Sequence, residues 1–393
     1  MKIQQKYKFS IFIIFSFYSL VEISDLWWGS RIFFWDLDIY VRAVSDYVKG
    51  ENPYRNNVDL MFIYHPYILK IFSFFDKILP LKITLLSMYS ISVIFFCKQF
   101  NDYVLQQKKN KGEEGGLSIF WIFLTAVCFG GAVLSSFKMG NLSMYLHFFV
   151  LGMFLMSYKK SSAKIIFIFI CSIIFVSVIK PYYLAYLILL IFLTSYKKSI
   201  ILLISATCVV FFIWISAIFF LTDLYEQFIS ALMSQYVADF GYSIFGLVQN
   251  LTNNLIGISV HLIILLSSLV GLIIYVRQKG FKVNSDHFIP LAIIFIVFLN
   301  PRMQVYDFPI AMLFGFTFLF IYNQAIFLKV VSISIWLTSV PLFSLTLSNF
   351  GFIEKIWFLN LPKHFQILGF IFLSFYIFRT IMSFERVSSK KEI

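Results

Sequence analysis

The chain has 393 residues, 60% hydrophobic, 20% aromatic and 13% charged, whereas soluble domains hold about 45–50% apolar and about 25% charged residues. With 51 Phe and a mean hydropathy of +0.86, a water-soluble enzyme is excluded and lipid is the fitting solvent. Lys and Arg number 32 against 19 Asp and Glu, a formal charge of +13; in a membrane protein such an excess marks cytoplasmic connections rather than a nucleic-acid partner.

A crossing helix needs about 20 apolar residues, and the apolar runs predict one all-α polytopic membrane domain over 1–393, with about twelve spans. These fall at 9–25, 82–101, 117–137, 142–158, 164–180, 182–196, 199–221, 255–276, 287–300, 306–322, 326–348 and 364–384, with 182–196 and 287–300 the short ones. Lys2, Lys6 and Lys8 precede the first run, and Glu22, Asp25, Trp27 and Trp28 follow it in place of a small-residue cleavage site, so it reads as a retained span. Cys97, Cys128, Cys171 and Cys208 all lie in apolar runs, which gives neither a disulfide framework nor a zinc-ligand spacing.

Basic residues at Lys108/Lys109/Lys111, Lys159/Lys160/Lys164, Lys197/Lys198, Arg277/Lys279/Lys282, Lys329 and Arg386/Lys390/Lys391 fall in alternate connections, which puts both termini in the cytoplasm. The long connections, 26–81, 222–254 and 349–363, then lie outside, and chemistry is expected there. That face is close to neutral. Three of its cations, Lys138, Lys180 and Arg302, stand at span ends where the orientation rule does not ask for them.

In the first outer connection, Trp35 to Gly50 reads as a helix with Asp36 near its start and Gly50 as its stop. Asp36, Tyr40, Ala43 and Tyr47 share one face, while Asp38 and Arg42 pair at i,i+4 on another. Asp36 is either an N-cap or a catalytic carboxylate. A turn follows at Gly50–Arg55, and the segment from Phe62 to Tyr67 leads into an amphipathic stretch, 68–78, suited to the bilayer surface.

The pattern Asp36-x-x-x-Tyr40-x-x-Ala43, then Gly50-x-x-Pro53-Tyr54, then Tyr64-x-Pro66 resembles glycosyltransferase family 87. Gly140-Asn141 and Lys180-Pro181 resemble two further elements of that family, and 299–307 stands where it has a Pro-containing segment, although no His or Trp follows Pro301 here. The resemblance implies a GT-C fold and transfer of a hexose, mannose in this family, from a polyprenyl-phosphate donor to a lipid or glycan acceptor on the non-cytoplasmic face of a bacterial inner membrane. Such transfer needs a carboxylate to take the acceptor proton and cations to hold the leaving phosphate.

Asp36 is the expected base. Tyr40, Tyr54 and Tyr64 are expected to line a sugar site, with ring faces for stacking and hydroxyls for hydrogen bonds. His65, Lys138, Asn141, Lys180, Arg302 and Asp307 complete the expected substrate-binding set. Several have a plainer alternative: Lys180 can snorkel to the headgroups, Arg302 can pair with Asp307, and His65 can be a partly exposed loop histidine. His147 lies within a span and reads as a buried hydrogen-bonder. Asp36 and Asp38 diverge by about 200° on a helix, so neither metal nor cofactor is expected. In 222–254, Asp223, Glu226, Gln235, Asp239, Tyr242 and Asn250 either close over the acceptor or lie on the membrane. An O-antigen ligase-like or polymerase-like transferase would carry its basic residues in a late outer loop. A lipid or solute transporter would carry charges at span centres.

Overall fold

The computed structural model describes residues 35–55, 62–109, 140–238 and 288–300, with single positions at 307, 310, 311, 313 and 314. The described residues are mostly helical, with no strand among them. The chain divides into two compact units, residues 1–103 with 136–239 and residues 104–135 with 240–393. The expected spans at 9–25, 117–137, 255–276, 326–348 and 364–384, and all but single positions of 306–322, lie outside the described residues.

In the first unit the first described helix is α1, Trp35–Val48, whose first turn carries Asp36 and Asp38 where the helix dipole favours them. It stops as predicted. Gly50 takes φ +76°, and the Gly50 N–H donates to the Tyr47 carbonyl at 3.1 Å and the Glu51 N–H to the Asp46 carbonyl at 2.8 Å, the wrapped ending that a left-handed glycine permits. Arg55 then reaches back to Asp46 at 2.5 Å and to Glu51, which folds the turn onto the helix. Asp38 finds its partner across the fold in Lys82, at 2.9 Å, rather than only along its own helix as the i,i+4 spacing to Arg42 suggests.

Helix α2, Pro66–Ile78, begins on His65, whose Nδ1 accepts from the Tyr67 N–H at 3.4 Å, with Pro66 in the first turn. Leu79 is extended ahead of Pro80, as a residue before proline must be, and α3, Leu81–Lys109, follows. Ile68, Leu69 and Phe72 are buried while Phe74 and Ile78 are exposed, so the helix buries one side and leaves apolar groups on the other, as a surface-lying segment in a bilayer would.

Helices α4, Leu142–Lys160, and α5, Ala163–Ile179, form a hairpin closed at Ser161, which takes φ 45°. The next stretch is not an α-helical span 182–196 but a 3₁₀ helix over Pro181–Phe192. At about 2.0 Å per residue its twelve residues rise about 24 Å, against about 18 Å for the same residues in an α-helix. Helix α6, Tyr196–Phe220, returns, and α7, Thr222–Ala238, occupies the first half of what reads in the sequence as the loop 222–254.

Among the described residues, three helices are long and apolar enough to cross a membrane: Leu81–Gln107, Leu142–Lys160 and Tyr196–Phe220. Large apolar side chains stand exposed along α3 and α6, among them Ile91, Ile204, Phe211, Phe212, Phe219 and Phe220, a surface that water does not tolerate at this extent. Helices α3 and α4 run parallel, and Lys159 bonds Asp102 at 2.9 Å at their far end. They touch closely at Gly152, where an added Cβ would meet the Phe95 ring at 2.7 Å. In the second unit, α8, Phe288–Phe298, is buried along Ile289, Ile293, Ile294 and Val297.

Candidate functional site

The starts of α1, α4 and the 3₁₀ helix meet at one end of the first unit, and Asp36 stands among them, 8% exposed. Its Oδ2 accepts from the Asn141 Nδ2 at 2.6 Å. Burial raises the Asp36 carboxyl to about 6, against the weaker opposing pulls of the Asn141 hydrogen bond, the Lys180 charge and the Trp35 side chain. Desolvation therefore wins over three groups that favour the anion.

Asn141 is fixed from both ends. Gly140 before it takes φ 67°, and the Asn141 Oδ1 caps α4 by accepting from the Ser143 N–H at 3.0 Å. With the oxygen so committed, the amide nitrogen must face Asp36. In this structure both side-chain polar atoms of Asn141 bond within the protein, one holding α4 and the other holding Asp36.

Lys180 is the residue at which α5 ends and the 3₁₀ helix begins, extended at φ −144°, ψ 112° as Pro181 requires. Its backbone N–H still donates to the Val176 carbonyl at 3.0 Å. Its ammonium donates to the Ser143 Oγ, stands 5.6 Å from the Tyr64 ring centroid and acts on the charge of Asp36. Rather than snorkelling alone, it lies beside the carboxylate. Tyr183 completes this corner: its hydroxyl donates to the Ser143 carbonyl at 2.7 Å.

The three first-loop tyrosines come together, but not as open stacking platforms. Tyr40, Tyr54 and Tyr64 are 2%, 1% and 4% exposed. The Tyr40 and Tyr64 hydroxyls share a hydrogen bond of 2.9 Å, the Leu142 N–H donates to the Tyr40 oxygen at 3.3 Å, and the Tyr54 hydroxyl donates to the Tyr64 carbonyl at 2.9 Å. Burial, and for Tyr40 also the nearby Tyr64 and Asp36, holds both Tyr40 and Tyr54 above the usual phenol range, so they remain neutral donors. Tyr40 is the member of the cluster that stands close to Asp36.

His65 is fully buried, not an exposed loop residue. Its ring lies 4.6 Å from that of Trp214 and 5.8 Å from that of Phe228. This cage lowers the imidazole to about 4, against a weaker pull from the Trp214 backbone. At neutral pH it is uncharged, and any contact with a phosphate would come from a neutral ring N–H. Phe228 also packs on Tyr54, at 5.8 Å, so α7 is anchored over the first loop.

A mostly apolar cleft of about 540 Å³ runs between α2, α5 and α6, lined by Tyr67, Lys70, Phe74, Phe175, Val178 and Ile213. Tyr67 and Ser216 tie α2 to α6 there through a 2.9 Å hydrogen bond. Among the remaining expected residues, Asp307 is buried in the second unit with the Asn300 Nδ2 donating to its Oδ2 at 2.9 Å. Lys138 and Arg302 lie outside the described residues, as do Asp239, Tyr242 and Asn250. No group of three or more metal-ligating side chains occurs among the described residues.

Trp35, Ser143 and Tyr183 were not predicted. Ser143 had a signal, lying two residues after a capping asparagine in a first helical turn. Comparison with protein-family models gives no match, and comparison with curated proteins gives none either.

Proposed function

We propose that the protein is a membrane glycosyltransferase of the GT-C kind, with about twelve spans and both termini cytoplasmic, acting on the outer face of a bacterial inner membrane. It transfers a hexose, mannose by resemblance to glycosyltransferase family 87, from a polyprenyl-phosphate donor to a hydroxyl of a lipid or glycan acceptor. The observation that carries this reading is the pairing of a buried carboxylate, at about 6, with the Lys180 ammonium.

Each part fits a step. A carboxylate at about 6 is ionised at neutral pH yet basic enough to share a proton in the transition state. Asp36 takes the acceptor's hydroxyl proton as the acceptor oxygen bonds to the anomeric carbon. The bond from that carbon to the phosphate oxygen breaks, and the phosphate leaves with the electron pair. Lys180, which has three donors as an ammonium, exchanges Ser143 for a phosphate oxygen and offsets the developing charge. The cleft, with Val178 two residues before Lys180, suits the isoprenoid chain of the donor. The lysines at the far ends of α4, α5 and α6, Lys159, Lys160, Lys164, Lys197 and Lys198, support a cytoplasmic assignment for that end.

The test incubates the purified chain in nanodiscs with labelled polyprenyl-phosphate mannose or glucose, of long and short chain, and candidate acceptors. Transfer by the wild type that is lost in Asp36→Asn and weakened with short-chain donors is expected. Undiminished transfer by Asp36→Asn overturns the assignment.

A further inference from the structure

A 3₁₀ run of twelve residues is unusual, because the α-helix has the better hydrogen-bond geometry and such runs seldom exceed three or four residues. Something must hold the segment Pro181–Phe192 in that form. Two polar clamps do so. Tyr183 donates to the Ser143 carbonyl at 2.7 Å. One α-turn deeper, the His147 Nδ1 bonds the Tyr186 hydroxyl at 2.6 Å and its Nε2 bonds the Tyr182 hydroxyl at 3.0 Å.

The spacings explain why these residues meet. Ser143 to His147 is four residues of α-helix, a rise of about 6 Å; Tyr183 to Tyr186 is three residues of 3₁₀ helix, also about 6 Å, after one full turn. The two tyrosine rings stand 6.0 Å apart and nearly parallel, at 19°. Were the segment α-helical, Tyr186 would lie about 1.5 Å lower and be turned by about 60° relative to Tyr183, and the His147 bond to it would break. His147 thus selects the 3₁₀ register.

That register reaches Lys180 through a closed ring of bonds. The Lys180 carbonyl accepts from the Tyr183 N–H at 3.2 Å, the Tyr183 hydroxyl donates to the Ser143 carbonyl, and the Ser143 Oγ accepts from the Lys180 ammonium. We infer that His147 is a positioning residue: by holding Tyr182 and Tyr186 it fixes the 3₁₀ segment so that Lys180 sits beside Asp36, ready for an anionic headgroup. The inference rests on the reading of Lys180 as the phosphate-holding cation.

The test measures equilibrium binding of farnesyl phosphate and of farnesol to the full chain in nanodiscs, so that the ratio of affinities reports the phosphate contribution alone. The wild type prefers the phosphate. Lys180→Ala, His147→Ala and Tyr186→Phe each cut that preference about tenfold, the size of one charge-assisted hydrogen bond, and leave farnesol binding unchanged. His147→Gln, whose amide can bond both hydroxyls, restores most of it. Adding His147→Ala to Lys180→Ala changes the ratio no further. A general loss of packing would weaken both ligands together and overturns the inference. So does a preference that Lys180→Ala removes but His147→Ala and Tyr186→Phe retain. Should His147→Ala fail to fold, Tyr186→Phe decides. A wild type without any preference overturns both this inference and the phosphate role of Lys180. Full sugar transfer by Asp36→Asn with the binding pattern intact overturns the transferase reading alone.

Discussion

Replacing Asp36 by Asn should stabilise the folded protein while removing its base. Burial raises the carboxyl from 3.8 to about 6, so the folded state binds this proton more tightly than the unfolded chain and loses stability as pH rises through that window. A rise from 3.8 to about 6 makes the penalty about 3 kcal/mol at pH 7.5, falling to about 1 kcal/mol at pH 4.5 and fading below 3.8. The Asn oxygen still accepts from Asn141, so the substitution removes the charge and leaves the cap of α4 intact. The groups facing Asp36 are Asn141, Lys180, Trp35 and the neutral Tyr40. Of these, Lys180 loses a partner, which trims the gain. Thermal unfolding followed by circular dichroism should show a higher midpoint for Asp36→Asn at pH 7.5 and a much smaller difference at pH 4.5. Sugar transfer should fall by about 10²- to 10⁴-fold, the usual worth of a positioned base. An Asp36→Asn protein less stable than wild type at pH 7.5, or equally advantaged at both pH values, would falsify the account of a strained, desolvated carboxylate.

Asn141→Ala removes a helix cap worth about 1 kcal/mol and also the hydrogen bond that lowers the Asp36 carboxyl. The acidic limb of kcat/KM should therefore move above 6, and a limb that stays in place would reduce Asn141 to a cap alone. Gly152→Val drives a Cβ into the Phe95 ring and should destabilise the α3–α4 crossing by about 1–3 kcal/mol, read as a lower unfolding midpoint. Adding Phe95→Leu should recover part of it, and a double variant no better than the single one would place the strain elsewhere.

The helices α1, α2, α4, α5 and α6 were legible because their signals are local. Gly50 ends α1, Pro66 opens α2, and basic residues flank the apolar runs. Asp36 could be picked out because its helix face offers no cation at i,i+4. Four things were not legible. The first-loop tyrosines carry the same letters whether their hydroxyls face a sugar or each other, and only the fold shows that Tyr64 meets Tyr40. Asn141 has the residue type of a ligand and of a cap alike. The 3₁₀ segment is apolar all round, and a run without polar residues carries no period to read; its clue was the Tyr183–Tyr186 spacing of three facing Ser143 and His147 at four. Helix α7 was hidden because its buried anchors, Phe228 and Ala231, are few among polar residues.

The order of forces on Asp36 has a kinetic consequence. Lys180 lowers the carboxyl now, but only as long as its charge is not neutralised by another anion. A sugar phosphodiester is ionised throughout the accessible pH range, so when it binds Lys180 it cancels that pull and adds a repulsive charge of its own near Asp36. Closure of the acceptor over the site would add desolvation in the same direction. The bound enzyme thus has a stronger base than the free one. Since kcat/KM reports the free enzyme and kcat the complex, the acidic limb of kcat should lie at higher pH than that of kcat/KM, which itself should lie near 6. In Lys180→Ala the pull is absent from the start, so the kcat/KM limb should rise and the gap between the two should narrow. A kcat limb at or below the kcat/KM limb would mean that the phosphate binds away from Lys180, and that the carboxylate and the ammonium are joined by structure alone.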